Sequence, residues 1–126
     1  MDWRFRNDLP IYAQLVEKIK LGIVSGELPP GSRLPSVRDL AAEAGVNPNT
    51  MQRALQDLER EGLVFPQRTA GRFVTEDGCV IQGTKKAMAA EELARFLRAM
   101  ETLGYDREGI IALLNEEKEE TQDADP

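Results

Sequence analysis

The sequence contains no histidine and a single cysteine, Cys79. Without imidazole the chain lacks the commonest general base and metal ligand. One thiol without histidine makes a zinc site improbable and rules out an internal disulfide. Nothing near Cys79 in the sequence is placed to lower its pKa, so it reads as an inert thiol in a reducing cytoplasm. No run of 18 apolar residues occurs, which argues against a membrane span. Met1 to Arg6 carries charge with no apolar stretch behind it, unlike a secretory leader. No phosphate-cradling glycine loop followed by Lys-Ser or Lys-Thr is present. These absences leave no support for an enzyme, a cofactor or a metal.

Basic charge is also scarce. The 126 residues carry a net charge of -6, with a sequence pI near 4.8. The acid is uneven: residues 1–78 hold 10 Lys or Arg against 11 Asp or Glu, and residues 79–126 hold 6 against 11. A partner that meets the N-terminal part therefore encounters a nearly neutral molecule, and the local field outweighs the total.

Hydrophobic spacing organises the N-terminal part into three helices. Tyr12, Leu15, Val16, Ile19 and Ile23 fall on one face of a helix over 10–24, stopped by Gly26 and Pro29-Pro30-Gly31. Ser36 suits the N-cap of a short second helix with Val37, Leu40, Ala41 and Ala44 inward, in a near capping box with Asp39. Gly45-Val46-Asn47 then turns directly into a third helix. Asn47 fits its N-cap, Pro48 its first position, and Met51, Ala54, Leu55 and Leu58 its buried stripe, before Gly62 ends it. Two helices joined by so short a glycine turn form a helix-turn-helix.

Leu63-Val64-Phe65 and Arg72-Phe73-Val74-Thr75 read as two short strands around a polar loop over 66–71, the hairpin known as a wing. Residues 76–83 read as a linker. A helix over 84–103 and another capped by Asp106 follow, with Tyr105 and Ile110 as a hydrophobic staple. The fold class expected is mainly α with a small β-hairpin: a winged helix-turn-helix over 1–78, a C-terminal helical hairpin over 79–117, and an acidic, disordered tail over 118–126. Leu93, Phe96, Leu97, Met100, Leu103, Ile110 and Leu114 give the hairpin more apolar face than it can cover alone, so a homodimer is expected.

The face of the third helix opposite its buried stripe carries Asn49, Gln52, Arg53, Gln56 and Arg60. Amide side chains pair bidentately with adenine and arginine with guanine in the major groove. Thr50 and the amides at the helix start suit phosphate oxygens. Arg38, just inside the second helix, reaches towards a phosphate or forms a surface pair with Asp39 or Glu43. Arg68 and Arg72 flank the wing, where a narrow minor groove attracts arginine.

These residues resemble a known family. Pro10-Ile11-Tyr12-Ala13-Gln14-Leu15, the run Gly31-Ser32-Arg33-Leu34-Pro35-Ser36-Val37-Arg38-Asp39-Leu40, and Asn47-Pro48-Asn49-Thr50-Met51-Gln52-Arg53-Ala54-Leu55 are similar to the opening of the GntR regulators. The Asn-Pro-Asn-Thr version with a short helical tail resembles the YtrA subfamily. The resemblance implies a cytoplasmic repressor that binds double-stranded, palindromic operator DNA as a homodimer through its C-terminal helices. By position it implies DNA-binding roles for Ser36, Arg38, Asn47, Asn49, Thr50, Gln52, Arg53 and the wing residues Arg68, Gly71 and Arg72. Many relatives have arginine where Pro48 and Gln52 stand, so a different operator is expected, and Thr69 replaces the first of two wing glycines. No small-molecule effector is implied. Two alternatives remain open: a winged-helix protein-interaction module, and a ligand-gated sensor with a small cavity at the tail helices.

Overall fold

The structure is a computed structural model that describes residues 1–123, with side chains through Lys118. Its elements run α1 (Ile11–Val24), α2 (Val37–Ala44), α3 (Pro48–Arg60), β1 (Val64–Gln67), β2 (Gly71–Val74), α4 (Gly78–Thr102) and α5 (Arg107–Asp123). Two compact units emerge, residues 1–86 and 87–126.

The first unit is the mainly α fold with one small hairpin that the spacing predicts. α3 packs on α1 and α2. Leu15, Ile19, Ile23, Met51, Leu55 and Leu58 interlock with Leu63, Val64 and Val74 from the hairpin. Each of these nine is no more than 1% exposed, and full burial contributes about 1.5–3 kcal/mol per large apolar side chain. Ser36 Oγ accepts the Asp39 amide at 3.1 Å, and Asn47 Oδ1 accepts the Asn49 amide at 2.8 Å. Both caps work as their residue types require. Gly45 ends α2 at φ 72°, in the left-handed region that glycine enters without a Cβ penalty.

The wing differs from expectation in its bounds. β1 continues through Pro66 and Gln67, and the turn is confined to Arg68, Thr69 and Ala70. Antiparallel pairing sets Val64 opposite Val74, Phe65 opposite Phe73, Pro66 opposite Arg72 and Gln67 opposite Gly71. On its other side β2 bonds to the Ser32–Leu34 segment: Val74 N donates to Ser32 O at 2.9 Å and Leu34 N to Arg72 O at 2.8 Å. β2 is thus central and β1 an edge. By the alternation of an antiparallel ladder, the nitrogen of Pro66 faces the open side, where proline costs no hydrogen bond.

The linker expected over 76–83 is mostly helix. Asp77 Oδ1 accepts the Cys79 amide at 2.9 Å and caps α4. Ile81 is buried and Val80 packs beside it, so the unit's core includes the first turns of α4. That burial overrides the poor helix propensity of Gly78 and Gly83, and it moves the boundary from 78 to 86.

In the second unit, Gly104 turns the chain at φ 96° and Asp106 Oδ1 accepts the Gly109 amide at 2.8 Å, capping α5. α4 and α5 line an open groove of about 680 Å³ between them. Of the acidic tail expected over 118–126, residues 118–123 continue α5 and residues 124–126 lie outside the described residues. No helix among the described residues is long and apolar enough to cross a membrane.

Candidate nucleic-acid interface

The burial of Met51, Ala54, Leu55 and Leu58 fixes the roll of α3. At about 100° per residue, that roll turns Asn49, Arg53, Gln56 and Arg60 outward, with Gln52 on one flank and Asp57 on the other. Asn49, Arg53, Gln56 and Arg60 are exposed, and Thr50 and Gln52 are half-buried. The structure therefore assembles the amide-and-arginine face read from the sequence. The caps hold it from below: the acceptor oxygens of Ser36 and Asn47 are engaged with their own helices, leaving the Ser36 hydroxyl hydrogen and the Asn47 amide hydrogens to donate.

Two contacts bracket this face. On the α1 side, the Arg53 guanidinium lies over the Tyr12 ring at 4.1 Å from its centroid. On the wing side, Arg72 Nε donates to Glu59 Oε1 at 2.6 Å, with the two side chains only 19% and 24% exposed. Arg72 is thus not a free wing-tip arginine. Its register opposite Pro66 sets it behind the turn, and its charge is engaged by α3. Arg68, in the turn itself, remains exposed.

Gly71 has φ 92°, and a Cβ there would stand 3.2 Å from Arg33 Nε. The backbone conformation favours glycine, and a Cβ would also crowd the flexible Arg33 side chain laid against it. Arg33 is exposed and joins the wing through its bridge to Phe73. Sequence reasoning missed it as a site residue, although a basic side chain between the Pro-Gly turn and the Ser36 cap was a signal available to read. Arg38 is exposed and makes no ion pair with Asp39 or Glu43, and Glu43 accepts a hydrogen bond from Trp3 Nε1 at 3.0 Å.

The acids around the face are neutralised. Asp57 pairs with Arg60, Glu59 with Arg72 at 2.6 Å, and Glu61 with Lys20 at 3.0 Å. Among the described residues, Arg33, Arg38, Arg53 and Arg68 have no acidic partner. The N-terminal arginines behave oppositely: hydrogen bonds from Arg4 hold the Asp2 carboxyl down at about 2, and Arg6 lowers that of Asp8. A net-acidic chain thus presents unpaired cations around α3 and the wing. No group of carboxylates, cysteines and histidines able to hold a metal occurs among the described residues.

The tail residues divide. Leu93, Phe96, Leu97, Leu103 and Leu114 are 41–71% exposed and Met100 is half-buried, but Ile110 is 7% exposed, covered within its own unit. Ile111, 49% exposed, offers apolar surface that the sequence reading did not include.

A profile described as "Bacterial regulatory proteins, gntR family" matches residues 11–74. The chain belongs to the GntR family. It is 38% identical to the HTH-type transcriptional regulator YhcF of Bacillus subtilis, over 88% of this chain and 92% of that one. It is 33% identical to the HTH-type transcriptional repressor YtrA of the same organism, over 88% and 86%. A solved GntR family regulator from Listeria monocytogenes superposes with a TM-score of 0.82 at 37% identity, over 89% and 98%. The AraR DNA-binding domain, solved in complex with operator ORX1, superposes with a TM-score of 0.53 at 31% identity, over 57% and 93%. The chain is a DNA-binding transcriptional regulator with a winged helix-turn-helix. Family membership leaves no support for the protein-interaction alternative.

Proposed function

We propose that this regulator is a cytoplasmic repressor that binds a two-fold symmetric operator as a homodimer and catalyses no reaction. The observation that carries the DNA-reading surface is the outward face of α3, whose neighbouring acids are paired while Arg33, Arg38, Arg53 and Arg68 are not. Asn49, Gln52 and Arg53 read base edges in the major groove, with Gln56 further along the same face. Ser36, Arg38, Asn47 and Thr50 hold phosphates at the helix starts. Arg68 enters the minor groove beside the wing, over a tight turn that needs Gly71. Arg72 supports the wing from behind.

Dimerisation follows from the tail. Leu93, Phe96, Leu97, Leu103, Ile111 and Leu114 are each at least 41% exposed. So much clustered apolar surface on 40 residues is costly in water, and a second copy is the economical cover. Two-fold symmetry then presents two copies of α3 to half-sites about one helical turn apart, or a multiple of that. Occlusion of a promoter by the bound dimer accounts for repression.

Selection of bound duplexes from a random pool tests this reading. Enrichment of a palindrome, with affinity falling steeply as salt rises, is the expected outcome. Failure to enrich any sequence would remove the regulator assignment.

A further inference from the structure

The stacking of Arg53 on Tyr12 joins the recognition helix to a different element, the first turn of α1. Tyr12 is half-buried: one part of it packs on the core cluster while its ring carries the exposed guanidinium of Arg53. Arg53 has no ion pair or hydrogen bond among the described residues, so the ring is its one recorded partner. A free arginine side chain distributes itself over many rotamers, and fixing it at a base edge costs rotamer entropy. A ring that already holds the planar guanidinium reduces that cost before DNA arrives.

We propose that Tyr12 is a specificity-determining positioning residue, whose ring holds the Arg53 guanidinium at the α1 edge of the recognition face, ready to engage one base. The inference rests on the reading of α3 as the groove-facing helix. It adds that sequence discrimination depends on a residue outside the helix-turn-helix. The ring contributes by its π face, not by its hydroxyl, so phenylalanine serves and an aliphatic residue of similar bulk does not. The attraction is electrostatic with a planar cation, so lysine in place of Arg53 keeps the charge and loses the stacked plane.

The test uses the duplex selected by the wild-type chain and a scrambled duplex of equal length, with Kd measured for both at one salt concentration. Tyr12→Leu is expected to lower the selected-to-scrambled preference about three- to tenfold, the range that a cation–π contact spans at a partly exposed site. Tyr12→Phe keeps the preference within about twofold of wild type by the same reasoning. Arg53→Lys reproduces the loss, and adding Tyr12→Leu to Arg53→Ala loses nothing more, because the two residues act as one unit. Circular dichroism and thermal unfolding of each variant separate loss of fold from loss of preference. Should Tyr12→Leu weaken both duplexes equally while folded, or Tyr12→Phe behave like Tyr12→Leu, the positioning role is overturned and the groove-facing reading survives. If wild type selects no duplex at all, both are overturned.

Discussion

Replacing Arg72 by alanine separates two readings of the wing that the sequence alone leaves equal. As a DNA contact, Arg72 would lie against a phosphate, and its loss would reduce the slope of log affinity against log salt by about 0.9. The structure engages it otherwise, with Nε 2.6 Å from Glu59 Oε1 and both side chains less than a quarter exposed. Removing either partner leaves a largely enclosed charge without its bond, a loss of about 1–3 kcal/mol, of which partial solvent access leaves about 1–2. A domain of this size loses several degrees of Tm for that energy. Arg72→Ala should therefore destabilise the protein more than Glu59→Gln, whose amide oxygen can still accept from Arg72 Nε without the charge. The double variant should lose less than the sum of the singles, since both act on one bond. Operator affinity should fall in both through misplacement of the wing, with the salt slope unchanged. The assays are thermal unfolding and fluorescence anisotropy on the selected duplex across a salt series. A stable Arg72→Ala protein with a shallower salt slope, together with tighter binding by Glu59→Gln, would refute the reasoning: Glu59 would then be a competitor that phosphate displaces.

Three further outcomes follow from the same geometry. Phe96→Glu introduces a charge into exposed apolar surface on α4 and should convert a dimer to a monomer in sedimentation velocity with the helical content intact; a wild type that sediments as a monomer at roughly tens of micromolar, ample for a symmetric dimer of this kind, would end the pairing claim. Asn47→Ala removes the acceptor of the Asn49 amide and should cost about 1 kcal/mol in urea unfolding, while Asn47→Asp keeps the acceptor and stays near wild type. Gly71→Ala meets both a left-handed φ of 92° and the Arg33 side chain 3.2 Å from the new Cβ; it should destabilise by about 1 kcal/mol or more, and pairing it with Arg33→Ala should recover only the steric part.

What could be read from the sequence was whatever depends on neighbours within a few residues. Apolar spacing and capping types define α1, α2 and α3 to within a residue, because Ser36 and Asn47 act on amides two or three positions away. The outward face of α3 follows from its inward one. Features that depend on distant partners were not legible. Pro66 reads as a loop residue until Ser32–Leu34 is known to pair with the far side of β2, which makes β1 an edge. Gly78 and Gly83 read as linker until Ile81 is known to enter the core. Arg72 reads as a wing cation until Glu59, 13 residues away in sequence, is found beside it. Ile110 reads as interface until its own unit covers it.

The acidic total now has a physical place in the reading. A phosphate backbone responds to the field at the contacting surface, and paired acids contribute little to that field compared with free ones. Asp57, Glu59 and Glu61 lie on or beside the second half of α3, and each is paired with a cation, Glu61 with a Lys20 that also stands 4.0 Å from Glu17. The first two turns of α3 hold no acid at all, so that end of the helix, at the positive end of its dipole, is the least repelled approach for phosphate. Much of the remaining excess of carboxylate sits beyond residue 78. A chain charged this way should bind random DNA weakly, since few free cations face the backbone, and should depend on base contacts for most of its operator affinity. The selected and scrambled duplexes give that ratio directly. A small ratio with tight binding to both would show that phosphate attraction dominates after all, and that the paired acids do not shape recognition.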